Sequence, residues 1–389
     1  MVSGVPGLGA GNEAVAMQQG EYTQEDFAHS PLMFYYELTQ ACDLVCKHCR
    51  ASAQENPHPL ELHTDQSKRL IEQVATFPRR PMLVLTGGDP LKRADLFELV
   101  RHAAGLGLYV ALTPSATPLA TPEAFREAKA SGVRALGISL DGADASTHDA
   151  FRGWEGSFAR TLAMLACARQ LDLPVQVNTT ITRRNFHQID QMAEFLSGQG
   201  IAMWSVFFLV PVGRGVQEER ISPEQYEIAF ERLWHHACRQ PYAVKTTEAP
   251  HYRRWVLQHG GDPLAPKPTG GQVPGPITHA LSGARRLHRA PLGVGDGKGV
   301  MFVSHIGEIY PAGFLPLACG RFPEVSVVDT YQNHPTFRAL RDPDRFRGTC
   351  GVCEYRYVCG GSRARAYAVW GDPLGPEPDC VFVPGSEER

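Results

Sequence analysis

The stretch Glu37-Leu-Thr-Gln-Ala-Cys-Asp-Leu-Val-Cys-Lys-His-Cys49 places Cys42, Cys46 and Cys49 directly after an apolar run. Three thiolates spaced C-x3-C-x2-C on one short loop can hold three irons of a [4Fe–4S] cube, whereas a fully ligated cube takes four. The fourth iron then stays open to a small molecule, as in catalytic metal sites that keep one position free. The alternative is a structural zinc loop with His48 as fourth ligand, but His48 sits between two thiolates, where closing a tetrahedron is awkward. The spacing therefore favours an open iron–sulfur cluster.

Size, charge and composition restrict the class of protein. With 389 residues and 43% hydrophobic content, the chain can form two units or one large α/β barrel with an appendage. The net charge of −3 gives no signature of nucleic-acid binding, and no apolar run approaches the ~18 residues of a membrane span. No signal-peptide pattern is seen, so the ten clustered cysteines favour metal ligation over disulfides. We expect a cytoplasmic metalloprotein with no nucleic-acid or membrane partner.

Short apolar runs alternate with helical patterns over residues 31–240. Near-continuous apolar runs are typical of parallel strands covered on both faces, and repeated strand–helix units predict an α/β parallel sheet. Six such units are two short of a closed (β/α)8 barrel. The predicted strands are Met33–Leu38, Met82–Thr86, Tyr109–Thr113, Ala135–Leu140, Val175–Ile181 and Trp204–Val210. The predicted helices are Asp65–Phe77, Leu91–Ala103, Thr121–Ala130, Ser157–Gln170, Gln188–Leu196 and Pro223–Arg239.

The pattern divides the chain into four segments. Residues 1–30 lack periodicity and are predicted to be a flexible leader. Residues 31–240 form the β/α domain, and residues 241–298 connect it to the last segment, with a Gly/Pro-rich linker or lid at 259–276. Residues 299–389 form a cysteine-rich extension that opens with a hairpin, Val300–Ser304 and Glu308–Tyr310.

The cysteine loop resembles that of the radical S-adenosylmethionine (SAM) enzymes, C-x3-C-x-aromatic-C, with His48 at the aromatic position. The resemblance implies a partial (β/α)6 TIM-like barrel. It also implies that SAM binds the open iron of a [4Fe–4S] cluster and is cleaved by one electron to a 5′-deoxyadenosyl radical, which abstracts hydrogen from a substrate. A reduced flavodoxin- or ferredoxin-type protein is then the expected electron donor.

Polar residues lie where successive predicted strands stop, which in parallel barrels is the ligand-binding edge. Thr86-Gly-Gly-Asp-Pro90 resembles the family's Gly-Gly-Glu-Pro motif, which binds the SAM amino group, and its glycines are expected to leave backbone groups free for a ligand. Ser139 and Arg152 match positions that hold the SAM carboxylate. Taken singly, these side chains also fit ordinary strand polarity or a surface ion pair. The cofactor-binding residues implied by the resemblance are Gly87, Gly88, Asp89, Ser115, Ser139, Arg152, Asn178 and, through its backbone, Val210.

A second cysteine group, Cys350-x2-Cys353-x5-Cys359 with Cys380, fits either a closed cube or a zinc tetrahedron by spacing alone. It resembles the SPASM extension of radical SAM enzymes, but the segments Gly360-Gly-Ser-Arg363 and Tyr310-Pro-Ala-Gly313 lack the further cysteines that relatives carry there. That departure implies a shorter, twitch-like extension with one auxiliary [4Fe–4S] cluster of four cysteine ligands, which accepts or relays an electron. Cys319 is left without an assigned role.

The substrate is the least determined feature. The chain looks most like enzymes of the alternative heme and heme d1 pathways and maturases of peptide-derived cofactors, so the expected substrate is a peptide or a tetrapyrrole side chain, modified by oxidation. Within 245–254, four basic residues could grip carboxylates, or could form a solvated charged linker; these are Lys245, His251, Arg253 and Arg254. The competing hypothesis is a non-catalytic iron–sulfur or zinc protein acting as a redox sensor or scaffold.

Overall fold

The computed structural model describes residues 22–263 and 293–385. Its strands are β1 (Met33–Glu37), β2 (Met82–Thr86), β3 (Tyr109–Leu112), β4 (Val133–Ser139), β5 (Val175–Ile181), β6 (Met203–Phe208), β7 (Ala243–Thr247), β8 (Val300–Val303) and β9 (Ile309–Tyr310). They form one nine-stranded sheet in the order β7-β6-β5-β4-β3-β2-β1-β8-β9. All neighbouring pairs are parallel except β8 and β9. The prediction of six successive parallel strands is confirmed, as is the hairpin that opens the extension.

Helices cover the crossovers between the strands, and local capping sets several of their ends. In the helix that begins at Pro223, the Ser222 hydroxyl accepts from Gln225 N (3.3 Å), and the Gln225 side chain accepts from Ser222 N (2.8 Å). The helices are α1 (Asp26–His29), α2 (Thr64–Ala75), α3 (Leu96–Gly105), α4 (Pro122–Ser131), α5 (Ala145–Arg152), α6 (Ser157–Gln170), α7 (Ile189–Ser197), α8 (Pro223–Arg239), α9 (His251–Gln258), α10 (Val327–Asn333), α11 (Pro335–Leu340), α12 (Gly348–Val352) and α13 (Arg363–Trp370). Among the described residues, no helix has the length and apolar character needed to span a bilayer.

The helix predicted over Leu91–Ala103 begins later, at Leu96, because the preceding residues form a separate 3-10 turn. Asp89 starts that turn, Pro90–Lys92, by accepting a hydrogen bond from Leu91 N at 3.1 Å. The apolar face of α3 still packs on the sheet as the periodicity predicts, with Leu99 fully buried.

Two apolar cores hold the fold together. The larger one fills the space between the sheet and its helices and is formed by residues such as Phe34, Leu85 and Trp204, all fully buried. The smaller one lies under the extension and joins it to the end of β6, with Val210 packed beside residues such as Leu315. Extension and sheet therefore share a packed boundary rather than a flexible joint.

Two predicted segments need correction. Residues 22–30 of the predicted leader are packed: Phe27 is fully buried in α1, and its carbonyl accepts from the Tyr331 hydroxyl at 2.9 Å. The connecting segment 241–298 contributes a sheet strand, since β7 pairs with β6 along its length. β8, at the start of the extension, pairs in parallel with β1. Residues 264–276 of the Gly/Pro-rich linker and residues 1–21 lie outside the described residues.

Candidate active site

The loop after β1 carries the three cysteines and is held by Arg214, which sequence analysis missed. Arg214 lies in the 3-10 turn Gly213–Gln217 that follows β6. Its guanidinium donates to the carbonyls of Cys46 (Nε, 2.8 Å) and Ala53 (Nη1, 2.8 Å). A strand-end arginine carries no sequence signal that distinguishes it from a surface charge, so only the fold shows this tie between β1 and β6.

Each of the three sulfurs accepts a contact from an N–H group, which is the environment that stabilises thiolate ligands. Cys42 and Cys46 are buried and Cys49 is half-buried. Without a bound metal, burial raises the pKa of Cys42 to about 11 and also raises the pKa of Cys46, so these two thiols are set up to ionise only against a cation. The contacts are Leu44 N to Cys42 Sγ (3.4 Å), Ala53 N to Cys49 Sγ (3.4 Å) and Arg152 Nη1 to Cys46 Sγ (3.6 Å).

The donor set fits a cluster better than a single ion. All three cysteines line one cavity of about 380 Å³. Within the described ranges, no three His, Cys, Asp or Glu side chains converge on one ion position, as the alternative zinc site with His48 would require. In a cube each thiolate binds its own iron, so the sulfurs do not need to share one position. His48 instead stacks on Phe151, with ring centroids 4.3 Å apart.

The two glycines after β2 allow close packing against the cysteine loop. A Cβ on Gly87 would lie 2.5 Å from the Thr39 carbonyl oxygen, and one on Gly88 would lie 2.4 Å from that of Ala41. The expectation that the amides here are free for a ligand is wrong for two of them: Gly88 N donates to Thr39 O (2.8 Å) and Asp89 N to Ala41 O (2.7 Å). Both glycines do line the cavity. The motif therefore orders the cluster loop.

The Asp89 carboxylate does not face the cavity. It is fully buried and accepts from the Thr117 hydroxyl (2.6 Å), from Leu91 N (3.1 Å) and from Ser115 N (3.3 Å). Burial raises the pKa of Asp89. The expected contact between this side chain and the SAM amino group does not fit the structure, because its oxygens are already bonded within the protein.

Four other predicted cofactor-binding side chains line the cavity together with the three cysteines: Ser115, Ser139, Arg152 and Asn178. Ser139 and Asn178 are register partners on β4 and β5. Val210 is not among the lining residues and is 2% exposed, packed in the smaller core. Sequence analysis placed it at the end of a strand that in fact stops at Phe208, so its backbone contact to adenine is not supported.

Arg152 ends α5, a helix the sequence analysis did not predict. The Asp144 carboxylate begins it by accepting from Thr147 N (2.8 Å), and Gly153, in the left-handed region at φ +65°, ends it. The Arg152 guanidinium lies 2.5 Å from Asp141. Burial raises the pKa of Asp141, but Arg152, with smaller contributions from His48, His148 and the Thr180 amide, holds that pKa below its usual range. The positive charge of Arg152 is therefore matched inside the protein.

The second cysteine group lines a separate small pocket with all four members present: Cys350, Cys353, Cys359 and Cys380. Glu377 N lies 3.3 Å from Cys350 Sγ, and Gly361 N lies 3.4 Å from Cys359 Sγ. Arg363, in the segment that lacks the further thiol expected after Cys359, donates to Cys350 Sγ at 3.6 Å. Cys319 lines neither pocket and is buried in the larger core.

The four basic residues of 245–254 divide between the two sites. Lys245 and Arg253 line the large cavity. His251 and Arg254 line the small one, and Arg254 forms an ion pair with Glu227. The alternative of a solvated charged linker is wrong for this segment.

Comparison with known proteins identifies the class. The Radical SAM superfamily profile matches residues 36–196. An AdoMet-dependent heme synthase of Methanosarcina barkeri is 40% identical over 92% of this chain and 99% of its own length. The mycofactocin maturase MftC of Mycobacterium ulcerans is 30% identical over 92% of this chain and 90% of its own. The solved structure of Streptococcus suis SuiB bound to S-adenosylmethionine covers 91% of this chain and 78% of its own at 15% identity, with a TM-score of 0.66.

The chain belongs to the radical SAM superfamily. It is an enzyme that binds SAM and a [4Fe–4S] cluster and cleaves SAM reductively to modify a substrate. The structural likeness confirms the partial (β/α)6 barrel. The non-catalytic sensor or scaffold hypothesis finds no support.

Proposed function

We propose that this enzyme oxidises the propionate side chain of an iron porphyrin, removing a hydrogen atom and then the carboxyl group. The observation that carries the proposal is the 40% identity, over nearly the whole of both chains, to a protein named for heme synthesis. The peptide alternative has the weaker support of 30% identity to a maturase. Loss of a hydrogen atom, of CO2 and of one electron converts a propionate to a vinyl group.

Cys42, Cys46 and Cys49 would hold the catalytic cluster. When bound, cluster and SAM supply a 5′-deoxyadenosyl radical by one-electron cleavage of the sulfonium. The neighbouring lining residues Ser115, Ser139 and Asn178 present hydroxyl and amide groups suited to the polar parts of SAM. Gly87 and Gly88 line the same cavity.

In this proposal Arg152 chiefly influences the catalytic cluster rather than binding SAM. Its charge is matched by Asp141, and its second nitrogen reaches Cys46 Sγ at 3.6 Å. A cation beside a thiolate ligand lowers the negative charge of the cluster environment, which is one of the protein's means of tuning a reduction potential. Arg152 keeps its place on the cavity wall, where a SAM carboxylate can still approach it.

Cys350, Cys353, Cys359 and Cys380 would hold one auxiliary [4Fe–4S] cluster, which supplies an acceptor for the substrate's electron. The backbone N–H groups of Glu377 and Gly361 already point at two of these sulfurs, and hydrogen bonds to the ligand atoms orient and tune such sites. A reduced flavodoxin- or ferredoxin-type donor is proposed to deliver electrons to the catalytic cluster, in the reducing cytoplasm that ten free cysteines favour.

Product analysis tests this proposal. The reconstituted, reduced enzyme is incubated with SAM and an iron porphyrin bearing free propionates, and porphyrin products are read by mass spectrometry. The proposal predicts products lacking carboxyl groups, formed together with 5′-deoxyadenosine. SAM cleavage with unmodified porphyrin, alongside turnover of a peptide, would overturn it in favour of the peptide alternative.

A further inference from the structure

We propose that Lys245, together with Arg253 on the lining of the same cavity, binds a carboxylate of the substrate. The inference rests on the proposed function, because it assumes a substrate with acidic side chains. It adds a specificity-determining site that is separate from the cysteine loop and from Ser115, Ser139 and Asn178, the side chains proposed to contact SAM.

The sheet itself carries Lys245 into the cavity. Residues in register on parallel strands point to the same face, and one such row crosses four strands: Ser139, Asn178, Ser205 and Lys245. The first two and the last line the cavity, and Ser205 is fully buried between them. The row therefore runs from Ser139 and Asn178, which are proposed to contact SAM, to Lys245 on β7 at the end of the sheet.

Lys245 is a cation without a protein partner among the described residues of this wall. Arg152 is matched by Asp141 and Arg50 by Glu37, with N–O distances of 2.5 and 2.6 Å. In the part of the chain that the structure describes, the Lys245 ammonium forms no ion pair or hydrogen bond, and only the backbone of the residue is bonded, in the β6–β7 ladder. Burial alone lowers its pKa to about 8, with no carboxylate near enough to raise it. A shielded, unmatched ammonium costs free energy that an anionic ligand would recover.

Arg253 adds a second positive charge to the wall. Its guanidinium donates to two backbone carbonyls, Val358 O and Val294 O, both at 3.2 Å. Both hydrogen-bond partners are neutral, so these bonds orient the guanidinium without pairing it to a carboxylate. Val358 lies in the extension and Val294 just before it, so this part of the chain aims Arg253 at the cavity that the sheet encloses.

Two carboxyl groups on the same wall do not cancel these charges. Glu248 bonds the Ser362 hydroxyl, and Asp296 accepts from Ala364 N at 2.8 Å. Burial raises the pKa of both groups, and the charge of Asp296 raises that of Glu248 further, so the pair retains a proton on Glu248. The cavity wall stays positive overall, as an acidic substrate needs.

The test compares Lys245→Met with wild type and with Lys245→Arg, which keeps the charge. The probe is an iron porphyrin with free propionates, titrated anaerobically into the oxidised, cluster-loaded enzyme and followed by its Soret absorption. The matched control porphyrin has its propionates converted to amides. Lys129→Met, which removes an exposed lysine on α4, controls for the loss of one positive charge.

Lys245→Met is expected to weaken binding of the propionate porphyrin by roughly 10- to 100-fold, the usual range for a charge-assisted contact. Lys245→Arg should recover most of that loss. The amide porphyrin should bind wild type and Lys245→Met equally, which also shows that the variant is folded. SAM affinity should not change.

Four results would overturn the inference. Unchanged propionate-porphyrin binding by Lys245→Met would remove the role of the lysine while leaving the proposed function intact. An equal loss of the amide porphyrin would make Lys245 a structural residue, and a loss of SAM affinity would place it at the cofactor. If wild type binds no porphyrin, the proposed function itself fails, and the inference with it.

Discussion

Replacing Gly213 with Ala tests whether the turn after β6 is required to shape the cluster loop. Gly213 has φ +55°, in the left-handed region, and an added Cβ would lie 2.3 Å from Arg50 O and 2.5 Å from Cys49 O. Both contacts are with backbone atoms of the segment that carries the cysteine ligands, so the loop has to move. The left-handed conformation itself costs a non-glycine residue about 1–2 kcal/mol.

Gly156 supplies a matched control. It also lies in the left-handed region, at φ +81°, but a Cβ there would meet no atom within 4 Å. Gly156→Ala should therefore lose only the conformational ~1–2 kcal/mol. Gly213→Ala should lose a further ~1–3 kcal/mol, as for other overpacking substitutions. This further free energy destabilises the loop conformation that binds iron. That conformation should therefore be roughly 5- to 150-fold less populated than in wild type.

The assay measures iron per chain after anaerobic reconstitution, together with SAM cleavage and urea unfolding of the metal-free protein. Gly156→Ala should keep wild-type iron content and cleavage despite its lower stability. Gly213→Ala should lose most of the catalytic cluster. If Gly213→Ala retains iron and cleavage as fully as Gly156→Ala, the steric explanation of the loop is wrong.

Three further outcomes are expected. Asp89→Asn should destabilise the fold by about 1–3 kcal/mol through its lost acceptor bonds, yet leave SAM affinity unchanged in isothermal titration; a selective loss of SAM binding would restore Asp89 as a ligand residue. Burial and Asp296 raise the pKa of Glu248, so wild type loses folding stability as pH rises above the ordinary glutamate value of about 4.3. Glu248→Gln should therefore be the more stable protein in urea unfolding at pH 8, by about 1.4 kcal/mol for each tenfold change in proton affinity, with a smaller difference at pH 5; equal stability at both pH values would refute this. Cys359→Ala should lower the iron content from about eight to about four per chain while the protein still cleaves SAM, and an unchanged iron content would exclude the auxiliary cluster.

Sequence alone was enough for the first six strands of the sheet. They lie within two residues of their predicted bounds, because strands buried on both faces need continuous apolar runs. β7 was missed because its sequence, Ala-Val-Lys-Thr-Thr at 243–247, is not a continuous apolar run. It is an end strand of the sheet, and its alternate residues face a polar cavity.

The candidate site was predicted in part. Spacing identified the cysteines, and the family resemblance identified Ser139, Arg152 and Asn178, which line the cavity. Spacing does not give the direction of a side chain once the strand has ended, so Asp89 was wrongly expected to face the ligand. Arg214 was not predicted because its contacts join segments far apart in the chain.

Porphyrin-dependent SAM cleavage is best tested through the yield of 5′-deoxyadenosine with and without an iron porphyrin bearing free propionates. The yield is measured on the reduced, reconstituted enzyme and on a variant with Cys42, Cys46 and Cys49 all replaced by Ala. We expect a porphyrin-dependent rise for wild type and no cleavage by the triple variant, which should still bind about four irons at the auxiliary site. Cleavage that persists in the triple variant, or that is indifferent to porphyrin, would contradict the proposed function.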